Sequence, residues 1–174
     1  LVTERFNTEL ANVLGNLVNR TIAMIEKYFG GTVTQSLPAN EEDPDAEFKA
    51  TVTGVSAKVR AKADELRIAD AISEVSALFR RANKYIDETT PWILAKDESR
   101  QDELKTVIYN LLESIRIGAV LLNPFLPDTS NEIFRQLNTN VVDIDTISQF
   151  GGLVVGESLN DPVPLFKRIE ITEE

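Results

Sequence analysis

The stretch IADAISEVSALFRRANKYIDETTPW, residues 68–92, decides the fold. Its apolar side chains recur every three or four residues, which is the spacing of one face of an α-helix. The members of this stripe are Ile68, Ile72, Val75, Phe79, Ala82 and Ile86, with Ala71, Leu78 and Tyr85 beside it. The helix should end before Pro91, because proline disfavours the helical conformation in the residue that precedes it. The stretch therefore predicts a long amphipathic helix that leads directly to Trp92, the only tryptophan of the chain.

Comparable apolar spacing on both sides of this stretch predicts four further helices. They are a helix from Asn7 or Thr8 to the glycines at 30 and 31, one from about Phe48 to Ala63, one from about Ser99 to Leu122, and one that begins at Asp128 or Thr129 and contains Leu137. The pattern leaves open whether the second helix joins the third near residues 64–67. Gly118 is expected to admit a close helix neighbour. The sequence predicts an all-α fold, a bundle of about five helices with antiparallel neighbours.

The remaining segments lack helical periodicity. Residues 31–46 carry proline, asparagine and acidic residues, which is typical of a long loop. After Asn138 the chain is irregular, although DTISQF at 145–150 predicts one last helical turn. Four apolar residues near the end of the chain are expected to pack back on the bundle: Val163, Leu165, Phe166 and Ile169.

Composition excludes several classes of function. The 174 residues include neither cysteine nor histidine, which removes thiolate metal ligands and the commonest general base. The chain has no apolar run long enough to cross a membrane, and its start lacks the pattern of a signal peptide. Its net charge of −10 is not the basic surplus of a typical nucleic-acid binder, so any such contact would have to be local. We therefore expect no catalytic residue, no metal ligand and no membrane partner in this chain.

Three residues form a candidate recognition set. Asn16 and Arg20 lie one turn apart on the first predicted helix, so their side chains are neighbours. Asparagine offers a donor and an acceptor, and arginine offers a planar fork of donors. An exposed Trp92 would provide a stacking face for an unpaired base. From the residues alone, Trp92 can equally be a core residue, and the Asn16–Arg20 pair can simply be solvated.

Further segments carry a resemblance to a known family. They are ELANVLGNLVNRTIAMIEKYFGG at 9–31, ANKYIDETTPWILAK at 82–96 and LLNPFLPDTSNEIFRQL at 121–137. In this order and spacing they resemble the anticodon-binding helical domain of bacterial methionyl-tRNA synthetase. The closing VPLFKRI at 163–169 is similar to the PLFPRI segment of that family, with Lys167 where proline is usual. The resemblance extends from about Thr8 to Ile169.

The resemblance implies that residues 1–174 are one anticodon-binding helical bundle of the class I aminoacyl-tRNA synthetase type, separated from a catalytic half. In this family the whole enzyme, a methionine–tRNA ligase, attaches methionine to its tRNA with ATP. The HIGH-like and KMSKS-like motifs and the zinc knuckle of that half do not occur in this sequence. ATP and zinc are therefore expected only there, and the fragment itself needs no cofactor. The expected partners are methionine-specific tRNA and the catalytic domain, in the cytoplasm.

The resemblance also implies roles for the three recognition residues. The family reads a CAU anticodon with an asparagine, an arginine and a tryptophan. The asparagine and arginine lie four residues apart on the first helix and match Asn16 and Arg20. The tryptophan follows a proline after a long helix and matches Trp92. These three are the expected tRNA anticodon-binding residues.

Two alternatives remain beside this interpretation. The chain could be the anticodon-binding domain of another class I synthetase, of the valine, leucine, isoleucine or cysteine type, which would lack the combined set of Asn16, Arg20 and Trp92. It could also be a non-catalytic helical domain that binds a partner protein through its acidic faces. Binding that depends on the nucleotides of the loop distinguishes these possibilities.

Overall fold

Six α-helices make up most of the part of the chain that the computed structural model describes, which is residues 2–33 and 43–160, with side chains from Thr8 onward. The helices are α1 (Val2–Phe29), α2 (Ala46–Asp64), α3 (Ile68–Thr89), α4 (Pro91–Leu94), α5 (Gln101–Leu122) and α6 (Pro127–Leu137). Short 3₁₀ turns cover Glu98–Arg100 and Ile144–Ile147. The predicted all-α bundle is confirmed, and the predicted last helical turn lies at the second 3₁₀ segment.

Three helix starts differ from the predictions. α1 begins at Val2 rather than at Asn7 or Thr8. α6 begins at Pro127, whose missing N–H is no loss in a first turn, so Asp128 lies inside the helix and does not cap it. α5 is preceded by a 3₁₀ turn in which the Asp97 carboxylate accepts the backbone N–H of Ser99 at 3.0 Å. The predicted starts at Asn7 or Thr8 and at Asp128 or Thr129 are therefore wrong, and the start predicted near Ser99 falls in the 3₁₀ turn that precedes α5.

The second and third helices are separate. Leu66 adopts a left-handed backbone conformation with φ 59°, which an α-helix cannot continue through. The backbone N–H of Arg67 donates back to the carbonyl of Lys62 at 2.9 Å and closes the turn. The side chain of Leu66 is 85% exposed at this tip, and the chain then returns as α3 antiparallel to α2.

α3 is one of the two central helices of the bundle, with α5, and it packs on α1, α2 and α5. Its stripe is buried at Val75, Phe79, Ala82 and Ile86. Ile68, in contrast, is 44% exposed, and Ile72 is only partly buried, because the first turn of α3 lies at the open tip beside Leu66. The predicted stripe therefore lies in the core from Val75 onward, Ile72 packs against the edge of the core, and Ile68 is the one position of the stripe that is exposed.

Gly118 of α5 lies directly against α3. A β-carbon at this position would overlap the ring of Phe79, and Phe79 is fully buried. The predicted close approach of helices at Gly118 is therefore confirmed. It allows the two central helices to pack with the phenyl ring between them.

The helices α1 and α3 run parallel to each other. Along α1, Glu9 pairs with Arg80 at 2.8 Å and Arg20 pairs with Asp87 at 3.1 Å, so both helices advance in the same direction. This follows from an up-down-up order of the chain, in which α2 comes between α1 and α3 in the sequence and runs in the opposite direction. Consecutive long helices are antiparallel, as predicted, but the first and third bring their carboxyl ends to the same end of the bundle.

A buried polar cluster joins α2, α3 and α5. The Tyr85 hydroxyl donates to the Asp45 carboxylate at 2.9 Å, and the Asn110 amide donates to the other carboxylate oxygen at 3.2 Å. Burial raises the pKa of Asp45 above its ordinary value, and burial also raises the pKa of Tyr85. The ring of Tyr85 stacks on Phe48 at 4.1 Å between centroids. This cluster fixes α3 near its carboxyl end.

A buried ion pair within α5 anchors the segment that follows α6. Arg116 and Glu113 are both fully buried and form two hydrogen bonds of 2.6 and 3.0 Å. Arg116 also donates to the carbonyl of Val141 at 2.9 Å and to Thr146. Glu113 accepts the backbone N–H groups of residues 151 and 152 at 2.7 and 2.6 Å. The described part of the irregular segment thus has no α-helix of its own, and this charged pair is one of the contacts that hold it.

The residues directly after α1 also form hydrogen bonds with this segment. The backbone N–H of Val33 donates to the carbonyl of Glu157, and that of Leu159 donates to the carbonyl of Gly31, both at 2.8 Å. The predicted packing of residues 163–169 and most of the predicted loop, residues 34–42, lie outside the described residues. None of the described helices combines the length and apolar character needed to span a membrane.

Candidate nucleic-acid interface

The polar faces of α1 and α3 enclose a groove of about 570 Å³. Its lining from α1 is Val13 with Asn12, Asn16 and Arg20, three polar residues at four-residue spacing, and from α3 it is Arg80, Asn83, Lys84 and Asp87. The spacing puts each set on one helix face. We call this the α1–α3 groove.

Asn83 lies at the centre of the α1–α3 groove and links the two helices. Its amide nitrogen donates to the backbone carbonyl of Val13 at 3.2 Å. Its side-chain oxygen accepts from the Asn16 amide at 3.5 Å and from the Arg20 guanidinium at 3.4 Å. Asn16 and Arg20, the two residues predicted from the first helix, are therefore brought together through a third residue on α3.

The charge of the α1–α3 groove differs from that of the chain as a whole. Three cations line it, Arg20, Arg80 and Lys84, against one carboxylate, Asp87. Arg20 pairs with Asp87, which is largely exposed, and Arg80 pairs with Glu9. With Glu9 counted, these five groups sum to +1, so a chain with net charge −10 carries a small positive excess in this groove. That is the local basic contact which nucleic-acid binding by an acidic chain requires.

The position of Trp92 after the end of α3 is fixed by the backbone and by the buried residues around it, rather than by burial of the tryptophan itself. Thr90 has φ 44° and ends α3, and Pro91 begins the single turn α4. Pro91 and Leu94 are buried, whereas the indole of Trp92 is 42% exposed and Ile93 is 51% exposed. Trp92 is therefore not a core residue, and a large part of it is open to solvent.

The structure brings the predicted residues together only in part. Asn16 and Arg20 share the α1–α3 groove, but Trp92 is not among the residues that line it. It follows Asp87, the last lining residue of α3, by five positions. The indole lies beyond the carboxyl end of α3, so a ligand that reaches both must extend from the groove past that end.

Sequence reasoning missed the contribution of α3 to this site. Arg80, Asn83, Lys84 and Asp87 follow the i, i+3, i+4, i+7 spacing, which is the same signal as the apolar stripe read on the opposite face. The polar spacing could have been found in the stretch 68–92. What it could not give is the partner helix, because the parallel packing of α1 on α3 is a tertiary property.

The fold and the site together define a class of protein. It is a helical-bundle domain with a positive polar groove and an exposed indole at one end. A family model described as the anticodon binding domain of methionyl tRNA ligase matches residues 37–174. The chain belongs to this family. The matched range includes Trp92 and the α3 side of the α1–α3 groove, whereas Asn16 and Arg20 precede it.

Individual relatives extend the similarity to almost the whole chain. The methionine–tRNA ligase of Clostridium perfringens is 46% identical over 171 residues, and that of Bacillus subtilis is 44% identical over 178 residues. Each alignment covers 98% of this chain and 26% of the relative. The chain thus spans about a quarter of the length of these relatives.

Solved structures agree with the fold. The apo form of Mycobacterium tuberculosis methionyl-tRNA synthetase superimposes with a TM-score of 0.82 at 32% identity, over 96% of this chain and 34% of that one. The same enzyme in complex with methionyl-adenylate gives a TM-score of 0.83 at 32% identity, over 94% of this chain and 32% of that one. The resemblance seen in the sequence motifs is therefore confirmed at the level of family and fold.

Proposed function

We propose that this chain binds the anticodon loop of methionine-specific tRNA and reads CAU through Asn16, Arg20 and Trp92. One observation carries the proposal: on an acidic chain, a groove with a small positive excess contains Asn16 and Arg20, and the exposed Trp92 follows the last α3 residue of that groove by five positions. Asparagine and arginine supply hydrogen-bonding groups for base edges. The indole supplies the stacking face that an unpaired base needs.

The groups of the α1–α3 groove divide into two kinds. Lys84 is exposed and lies on α3, so it is suited to attract the phosphate backbone without reading sequence. Asn16 and Arg20 are held by Asn83 and Asp87, so their donors and acceptors have defined directions. A loop bound here must unstack its bases, and the stacking on Trp92 offsets part of that cost.

The proposed setting is a larger methionine–tRNA ligase of the class I type, in which residues 1–174 act as the anticodon-binding domain. The catalytic domain would bind ATP and methionine, and in many members zinc, and would attach methionine to the tRNA in the cytoplasm. This chain would contribute no catalytic group. Its role would be to select the tRNA whose acceptor end reaches that catalytic domain.

The single tryptophan makes the proposal directly testable. Because Trp92 is the only tryptophan, the tryptophan fluorescence of the chain, excited selectively over its tyrosines, reports on the proposed stacking site alone. We expect a CAU stem-loop to quench this emission with a dissociation constant of roughly micromolar to millimolar, since one stack and one bidentate contact provide only a few kcal/mol. Loops with a single changed anticodon base should bind more weakly.

The same titration separates the alternatives. Equal or tighter binding of valine, leucine, isoleucine or cysteine anticodon loops would contradict the selective reading of CAU. No quenching by any loop at millimolar concentration would contradict loop binding at Trp92 altogether. A tRNA stem-loop of scrambled sequence and equal charge controls for phosphate attraction.

A further inference from the structure

Asn83 lies within the motif at 82–96, but the resemblance to the family gave this residue no role. We propose that Asn83 is a positioning residue that fixes the amide orientation of Asn16, so that Asn16 presents its carbonyl oxygen to the ligand and selects a base with an exocyclic amino group. The inference rests on the proposed function, because it assumes that the α1–α3 groove binds an RNA loop. It adds the chemical class of base that Asn16 accepts and the residue that determines this choice.

The orientation of the Asn83 amide is set by the backbone of α1. A peptide carbonyl can only accept a hydrogen bond, and the carbonyl of Val13 lies 3.2 Å from the amide nitrogen of Asn83. The opposite orientation would place two oxygens against each other. The Asn83 side-chain oxygen therefore points away from Val13 and into the α1–α3 groove.

The orientation of the Asn16 amide follows from that of Asn83. The Asn83 oxygen can only accept, and the guanidinium of Arg20 can only donate to it, at 3.4 Å. The group of Asn16 that faces the same oxygen, at 3.5 Å, is the amide nitrogen. Asn16 is exposed, so its own oxygen is the acceptor that remains for a ligand. The backbone carbonyl of Val13 thus fixes the orientation of the Asn83 amide, and the Asn83 amide fixes that of the Asn16 amide.

An outward acceptor selects for a donor on the base. Cytosine and adenine carry an exocyclic amino group, whereas uracil carries a carbonyl oxygen at the corresponding position. Arg20 lies beside Asn16 and adds donor groups, which suit the ring nitrogen next to that amino group. Asp87 binds the other terminal nitrogen of the guanidinium at 3.1 Å, which limits rotation of the fork. The geometry therefore favours an amino-bearing base at the position that faces Asn16.

The experiment removes single amino groups from the ligand. CAU stem-loops are prepared in which pyrimidin-2-one replaces the cytosine or purine replaces the adenine, and binding to this chain is followed through the fluorescence of Trp92. For the wild-type chain, one of the two replacements should weaken binding about tenfold, the loss of one well-formed pair. In Asn83→Ala and in Asn16→Ala that same replacement should cost only about twofold. Asn19→Ala, an exposed position of α1 that does not line the groove, should keep the tenfold loss.

A double-mutant cycle and a ligand-free measurement complete the test. Asn16→Ala/Asn83→Ala should lose no more of the preference for the amino group than Asn16→Ala alone, because both changes remove one function. The preference, rather than the affinity, is compared because Asn83 also accepts a hydrogen bond from Arg20. Without RNA, the side-chain amide resonances of Asn16 should shift in Asn83→Ala while those of Asn12 stay in place, which also shows that the variant is folded.

Several results would overturn the inference. A tenfold loss that persists in Asn83→Ala, additive losses of the preference for the amino group, or Asn16 amide resonances that do not move would each contradict the positioning role while leaving loop binding intact. A wild-type chain that binds no loop would instead overturn the proposed function, and the inference with it.

Discussion

Glu113→Gln is expected to lower the free energy of unfolding by about 3–5 kcal/mol, because it leaves the buried charge of Arg116 without its partner. Both side chains are fully buried. The substitution also changes the acceptor for the backbone N–H groups of residues 151 and 152. The loss should therefore spread along the segment that Arg116 and Glu113 hold, and hydrogen exchange of those two amides should accelerate.

The chain offers a matched control for this prediction. Glu132 and Arg135 form the same i, i+3 pair at 2.8 Å on α6, but they are 31% and 43% exposed. Glu132→Gln should therefore cost no more than about 1 kcal/mol, as is usual for solvated pairs. Urea denaturation of both variants provides the comparison. Equal costs for the two substitutions would show that the buried pair does not anchor the segment.

Phe79→Ala is expected to lower the free energy of unfolding by about 3–5 kcal/mol, because it empties the space between the two central helices. The ring is fully buried and packs directly on Gly118, so neither backbone can move in to fill the cavity without displacing other core residues. Ile72→Ala should cost less, since Ile72 is only partly buried.

Trp92→Ala is the informative partner of Phe79→Ala. Both remove a large aromatic side chain, but the indole is 42% exposed, so its removal should cost clearly less than the 3–5 kcal/mol of a buried ring. Thermal or urea denaturation measures both. A loss for Trp92→Ala as large as that for Phe79→Ala would make Trp92 a structural residue and would weaken its assignment as a stacking platform.

Most of the bundle could be predicted because helical periodicity is local. The stripe from Val75 to Ile86 and the close approach at Gly118 follow from side-chain spacing and size, and both are present in the structure. The exposure of Ile68 could not be predicted, because it depends on the open tip that Leu66 creates. The start of α6 was predicted too late, at Asp128 or Thr129, because Pro127 serves equally well as a first helical residue.

The candidate site was predictable only where a sequence motif carried it. Asn16, Arg20 and Trp92 were selected by side-chain chemistry and given their roles by the family resemblance, whereas Asn83 and Asp87 are seen only when α1 packs on α3. The buried pair of Arg116 and Glu113 was missed for a related reason. An i, i+3 pair of charges on a helix normally lies in solvent, and only the tertiary structure shows that an irregular segment covers this one.

The central claim is that Arg20 reads the anticodon rather than merely attracting phosphates. The most direct test measures the affinities of a CAU stem-loop and its single-base variants for the wild-type chain, for Arg20→Ala and for Lys84→Ala, at two salt concentrations. Arg20→Ala should weaken CAU binding by roughly 1–3 kcal/mol and should remove most of the preference over the variants. Lys84→Ala, on the same groove, should weaken all loops evenly and reduce the salt dependence. An Arg20→Ala chain that binds more weakly but keeps the full preference for CAU would contradict the account.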